Sequence, residues 1–593
     1  MESIHKYNLG IVGNCSYLAY VDTTANVKWL CMPRFDSSFL FGSLLDTHKG
    51  GEFSITPAEQ NYSSKQYYIE NTNVLCTEFT LNSGSFRVVD FAPRFRQFDR
   101  YFRPLMLVRK IELISGNPFI KIKCSPKGNY GSIEPEAVAG SNHIRYLGLD
   151  SPVRLTTDVS LSYVLNNQPF VLNENKYLVL TYGHPLEAPL AQTADDFLES
   201  TTKYWQQWIK STSIRNFYQA QIIRSALVLK LHQYEDTGGI IASGSMSLPE
   251  FDQSTRNWDY RYCWMRDTYY TLNAFNGLGH FEELEKYFQY IQNIILSEKD
   301  RIQPLYGITG QKKIVETELP LSGYLNNKPV RLGNDAYTHI QNDVYGQVLV
   351  SLLPLYTDKR LNLHFHTQSL HMIEWLLDKI ALTMEEPDAG LWEFRTKAQF
   401  HCYTYLFHWA GAKAATKIAL HYKNEGLQKR AEAVAALASQ KIEACYYAPK
   451  LAYAQAIGTS ELDASCLQLI TMSYIDGGSE KAKYHLEALE KELKTPQGLF
   501  YRYKHADDFG KPESTFLVCA FWYVEALACV GRIDDAIKTF ENLLQYSNHL
   551  GIYSEDVDEK GGQWGNFPQT YSHVGLMNAA FRIARKMDIP IFL

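Results

Sequence analysis

The chain has 593 residues, 45% of them hydrophobic and 21% charged, which is too long for one ordinary core and too apolar for wholesale disorder, so two or more folded domains are expected. Aromatic residues reach 13%, with 40 Tyr and 10 Trp, a surplus that suits a ligand with a flat face, either a sugar or a nucleobase. A net charge of −6, with no tract rich in Lys and Arg, excludes nucleic acid, because nothing is there to neutralise a phosphate backbone.

From the N-terminus to residue 192 the hydrophobic period is two, as in Gln66 to Thr80 and Ser85 to Phe91, with Asn-Ser-Gly and Ser-Gly-Asn turns between runs. A dozen or so short strands are expected, packed as an antiparallel β-sandwich. Over 193–215 the period becomes helical, with Phe197, Thr201, Trp205 and Trp208 on one stripe, which predicts a packed linker helix. From 216 to 593, roughly twelve helical segments follow, with starts near 217, 267, 281, 342, 364, 398, 425, 464, 478, 515, 532 and 570, many marked by polar caps or a closing Gly. Six helical hairpins and no internal repeat favour a closed (α/α)6 barrel over a solenoid. Three long connections, about 233–266, 297–341 and 546–569, are where a site is expected.

The first residues show no basic segment followed by an apolar one, and no run approaches the length of a membrane helix. The ten cysteines are scattered without a C-x-x-C pair, so neither a metal nor a disulfide framework is expected, and the expected location is the cytoplasm.

Residues 257–272 place six aromatics among two Arg/Asp pairings. Rings stack on the C–H faces of a sugar while planar charged groups hold its hydroxyls; packing of a helix start is the alternative use of such a cluster. Two acidic motifs accompany it, Asp388-Ala-Gly-Leu-Trp-Glu393-Phe-Arg and Ser554-Glu555-Asp-Val-Asp558, the second followed by Gly565 to His573. A carboxyl beside an aromatic is poised to keep its proton and one among hydroxyls and amides to lose it. That asymmetry is what acid- and base-assisted cleavage of a glycosidic bond needs. Taken singly, Arg331, Gln341, Asp343, His401, His408 and His573 read as capping or structural residues.

Together, Tyr-Cys-Trp-Met-Arg266-Asp267, Gly-Leu-Trp-Glu393-Phe-Arg, Ser-Glu555-Asp-Val-Asp and Gly-Asn-Phe-Pro-Gln-Thr-Tyr-Ser-His resemble the glucoamylase and trehalase family of inverting α-glucosidases, glycoside hydrolase family 15. The opening segment with Trp29-Leu-Cys-Met-Pro-Arg-Phe-Asp36 is similar to the N-terminal domain of its prokaryotic members. The resemblance implies a β-supersandwich, a linker helix and an (α/α)6 barrel. It makes Glu393 the general acid and Glu555 the general base, Arg266 and Asp267 the grip on the terminal glucose, and Trp264, Leu391, Trp392, Arg331 and Arg395 the pocket around them. The implied substrate is an α-glucosidic disaccharide or oligosaccharide, and no cofactor is required. Where fungal glucoamylases carry a second Glu after the acid, this chain has Phe394, so starch-type substrates are not implied. A disaccharide phosphorylase and a non-catalytic sugar-binding protein are the competing functions, and Arg34 and Asp36 are candidates to reach the barrel rim.

Overall fold

A computed structural model describes residues 4–214, 217–361 and 370–587. The N-terminal part is built from antiparallel sheets of eight, four and three strands and a two-stranded hairpin. The eight-stranded sheet runs in spatial order Glu136–Ala139, His143–Leu147, Val153–Thr157, Lys176–Tyr182, Met106–Gly116, Gly84–Phe91, Leu75–Leu81, Tyr62–Tyr68. Period two is what lets these strands face a core on one side: Phe119–Ser125, in the three-stranded sheet, buries Ile120, Ile122 and Cys124 and turns Lys121 and Lys123 outward. Those residues meet Phe79, Phe86, Val88 and Leu107 of the large sheet in one sandwich core. The large sheet also has a second covered face, where Cys76, Val89, Val108 and Val179 pack on Ala194, Leu190, Phe197 and Leu198 of the helix Leu190–Lys210. The same helix reaches the helical half, where Trp208 stacks on His280 with ring centroids 3.8 Å apart and donates to Glu283 at 2.9 Å. The alternating run from Gln66 to Thr80 is not a single strand. It spans the ends of two, Tyr62–Tyr68 and Leu75–Leu81, because Thr72 bonds back to Ile69 and Asn71 adopts φ 59°.

The helical half is a double ring. Six inner helices, Thr268–Leu278, Asp343–Thr357, Cys402–His421, the short Ala464–Leu467 and Gln468–Thr471 pair, Leu517–Cys529 and Thr570–Met587, touch in that order, and the last returns to the first. The outer helices are Gln219–Leu231, Phe281–Ser297, Leu370–Thr383, Glu425–Glu443, Glu480–Leu493 and Ile533–Leu544. Burial separates the rings. Leu517–Cys529 is apolar and buried almost all round, whereas Glu425–Glu443 buries only Leu427, Ala431, Ala435, Ala438 and Ile442, one stripe at helical spacing. Two inner helices cross through glycines: a Cβ on Gly346 would lie 2.0 Å from the carbonyl oxygen of Phe407, and one on Gly411 would lie 2.7 Å from the Cα of Gly346.

Observed helix starts fall within a few residues of the expected ones. The largest shift is Cys402 against 398, because His401 is first held in a bridge to Ala456; the start near 364 lies outside the described residues, and that helix is described from Leu370. The axis of the ring is plugged by aromatics. Tyr270 stacks on Trp522 with centroids 5.7 Å apart, lies 5.3 Å from Tyr571 and is 3.2 Å from the hydroxyl of Tyr403, which accepts from Gln347 at 2.8 Å. The connections entering four of the inner helices meet at one cavity, and besides the three long ones expected, 494–516 is long and brings Arg502, Asp507, Asp508 and Phe509 to it.

Candidate active site

Among the helix entries lies a cavity of about 530 Å³ with the open solvent in it included, lined among others by Trp258, Tyr260, Trp392, Glu393, Arg395 and Arg502. Its lining comes from the entries to four of the inner helices, those that begin at Thr268, Asp343, Cys402 and Leu517. The segment 257–267 is their common support. Trp264, paired with Leu305 in a short strand, donates from its indole to Oε1 of Glu393 at 2.8 Å. Arg266 reaches the same oxygen at 3.0 Å, and Gln341 donates to it at 3.2 Å. Four residues before Trp264, Tyr260 donates to Oε1 of Glu555 at 2.7 Å, and the two rings meet edge to face with centroids 5.2 Å apart. One short stretch therefore holds both carboxylates, Glu393 on the cavity wall and Glu555 buried behind Tyr260.

Each carboxylate is fixed by local backbone. Glu393 has φ 61°, the left-handed region that a residue with a Cβ rarely enters, and Gly390 just before it has φ 67°. Such strain costs on the order of 1–3 kcal/mol and persists only where surrounding contacts impose it; here the three donors to Glu393 do so. Glu555 accepts from the backbone of Asn566 at 3.1 Å. It sits so close to Gly565, at φ 71°, that a Cβ there would lie 2.6 Å from its own Cβ.

The electrostatics reverse the expected asymmetry. Burial raises the pKa of Glu393, but Arg266 and the donors around it prevail and hold the carboxyl below the usual carboxylate range. Trp392 does not shelter it as the sequence suggests, because its indole is turned to Asp463, donating at 2.7 Å. Glu555 is pushed up to about 7 by burial and then by the charge of Glu250, against Arg502, Tyr260 and Asn566. Glu250 accepts from Arg502 at 2.6 Å, and the same guanidinium nitrogen reaches Asp556 at 3.2 Å.

Beneath Glu393, Arg266 Nε, Asp267 Oδ1 and both carboxylate oxygens of Asp343 are buried without hydrogen-bond partners among the described residues. Burial raises Asp267 and Asp343 to about 6 each, against Arg266. Buried polar atoms left without partners are groups suited to hydroxyls of a ligand. Trp392 and Arg395 line the cavity, and Leu391 is buried behind them. Arg331 is not brought to the cavity wall. It donates to the carbonyls of Thr255 and Asn257 at 2.7 and 3.2 Å, pairs with Glu316 at 3.2 Å and underlies the Trp258 ring at 4.6 Å. Arg34 and Asp36 pair with each other at 2.9 Å, while the carbonyl of Ser37 between sandwich and barrel accepts from Arg261 at 2.8 Å. Tyr260, Glu250 and the 502–509 connection are site residues that the sequence motifs did not single out. Gln341, which reads as a cap, is instead a donor to Glu393.

The model of the glycosyl hydrolases family 15 matches residues 215–581, and that of the trehalase-like N-terminal domain matches residues 3–167. The chain belongs to glycosyl hydrolase family 15. It is thus a glycoside hydrolase. Similar relatives include the trehalase of Thermoplasma volcanium, 31% identical over 98% of this chain and 93% of the relative, and that of Mycolicibacterium smegmatis, 28% identical over 97% and 91%. The fold is that of a bacterial glucoamylase solved with acarbose, at a TM-score of 0.69 and 14% identity over 98% of this chain and 95% of that one.

Proposed function

We propose that this exo-acting α-glucosidase of family 15 cleaves α,α-trehalose by a single displacement with inversion, Glu393 serving as general acid and Glu555 as general base. The observation that carries the reading is the tethering of both carboxylates to one segment: Trp264 and Arg266 hold Glu393 while Tyr260, on the wall of the same cavity, holds Glu555. Two carboxyls facing each other over a bound sugar suit protonation of the leaving oxygen on one side and activation of water on the other. In this reading Arg266 and Asp267 grip the hydroxyls of the terminal glucose, Trp264, Leu391 and Trp392 form the wall, Arg395 lies at the rim, and Arg331 acts from behind by supporting Trp258. Trehalose as substrate is supported by the names of the relatives, which match this chain over nearly its whole length.

The reversed electrostatics favour one competing assignment, with Glu555 as acid and Glu393 as base. The engagement of Arg266 by a sugar hydroxyl draws away the cation that keeps Glu393 ionised, which lets it take up the proton an acid needs. Fluoride needs no proton to leave, so α-glucosyl fluoride separates the roles. Glu393→Gln is expected to keep turnover of the fluoride while losing trehalose, and Glu555→Gln to lose both; the opposite pattern exchanges the roles.

Inversion on trehalose releases one β-glucose and one α-glucose per bond, which proton NMR reads before mutarotation; two α-glucoses at the outset exclude the mechanism. Turnover independent of phosphate separates hydrolysis from phosphorolysis, for which a base such as Glu555 has no use. All ten cysteines are unpaired thiols, which supports a reducing, cytoplasmic location. No described helix is long and apolar enough to cross a membrane.

A further inference from the structure

The connection 494–516 folds a tip over the cavity. Asp507 and Gly510 exchange backbone hydrogen bonds at 3.1 and 3.2 Å, with Gly510 at φ 90°, so the tip is a tight closed turn. Asp507 is anchored from below: it accepts from the backbone of Phe509 at 2.8 Å and pairs with Arg256 and with the hydroxyl of Tyr503. Asp508 ties the tip to the loop of the acidic residue Glu393, accepting from the backbone of Arg395 at 2.5 Å and from the hydroxyl of Thr396. Phe509 then meets the Trp258 ring with centroids 5.0 Å apart. The Arg395 guanidinium sits 4.9 Å from the Trp258 ring and 5.2 Å from that of Phe509. Three loops, from three different helix entries, thus close into a roof of an aromatic pair and a cation that forms part of the cavity lining.

Trp258, Arg395 and Phe509 therefore narrow the cavity on one side. We propose that Asp508 and Phe509 determine substrate length: the roof leaves room for one sugar on the leaving side of the scissile bond, so the enzyme accepts α-linked glucose disaccharides and rejects longer chains. The proposal rests on the α-glucosidase reading of this cavity. Two charge-assisted bonds to a single carboxylate make the tie strong. Asp508 touches neither Glu393 nor Glu555 in any hydrogen bond described above, and it acts by positioning the tip.

The test compares trehalose with the trisaccharide that carries one further α-1,4-linked glucose on its leaving half. Wild type is expected to show kcat/KM at least a hundredfold lower for the trisaccharide. In Phe509→Ala, which shortens the roof, and Asp508→Ala, which unties it, that gap is expected to shrink tenfold or more. An equal preference in wild type, or a gap unchanged in both variants while hydrogen exchange over 504–512 quickens, overturns the proposal. If trehalose is not turned over but maltose is, the substrate reading fails, and the maltose and maltotriose pair gives the same comparison for the roof. Calorimetric titration of Glu555→Gln with the two sugars reads length discrimination without turnover: tight binding of the disaccharide alone is expected, and equal affinities refute the roof.

Discussion

Tyr260 donates its phenolic proton to Oε1 of Glu555 at 2.7 Å, and its half-buried ring lies at the cavity wall. Removing the hydroxyl leaves the ring packed on Trp264 but takes one donor from the ionised form. A hydrogen bond to a charged group is worth about 1.5–3 kcal/mol, so Tyr260→Phe is expected to lower kcat by roughly ten- to a hundredfold. Steady-state kinetics on trehalose with a circular dichroism check of the fold measures this. A loss confined to KM instead indicates a role in sugar binding.

The charges around Glu555 set the pH dependence. Tyr260, the Asn566 backbone and Arg502 face it in favour of ionisation, and burial, Glu250 and the neighbouring Asp556 oppose it, with about 7 as the outcome. In the proposed assignment, turnover needs Glu393 protonated and Glu555 ionised together. With Glu393 below the usual carboxylate range and Glu555 near 7, the fraction in that state is small but constant between the two values. It falls as pH drops below the lower one and as pH rises above about 7. The kcat/KM profile is therefore expected to be a plateau with an alkaline limb near 7. Glu250→Gln removes the opposing charge, so the limb moves to lower pH and the plateau rises. A limb that stays in place shows that Glu250 does not act on Glu555.

Far from the site, Asp90 and Arg109 are paired at 2.7 Å on adjacent strands of the large sheet, with both side chains fully buried. Arg109 also donates to the carbonyls of Phe53 and Ala25 at 2.7 and 2.6 Å, so it links all three sheets of the sandwich. Asp90→Ala leaves that guanidinium buried without its counter-charge and is expected to destabilise the sandwich by about 3–5 kcal/mol. Denaturant unfolding followed in the sandwich domain checks this, and a change below about 1 kcal/mol contradicts it.

The architecture was readable because two periods divide the chain cleanly, as in Ile120 and Ile122 against Lys121 and Lys123, or the Leu427 to Ile442 stripe. The stretch 257–272 was equally readable as a centre, yet its most consequential hydroxyl, Tyr260, looks like any other Tyr until Glu555, 295 positions away, is folded against it. Glu250 and the tip at Asp508 carry no local signature either, since their meaning lies in Arg502 and Arg395, which the ring closure delivers. The sense of the two carboxyl pKa values was misread for a related reason. Sequence adjacency put Trp392 beside Glu393, but the left-handed backbone there sends the indole to Asp463 and the carboxylate to Arg266.

The aromatic plug of Tyr270, Tyr403, Trp522 and Tyr571 makes the barrel a blind well, not a tunnel. Substrate and products must use a single doorway, so each glucose formed at the bottom has to leave by the way its parent came in before another molecule enters. Such an enzyme works by discrete visits and cannot thread along a polymer. Its own product, lingering in the well, is its most immediate competitor.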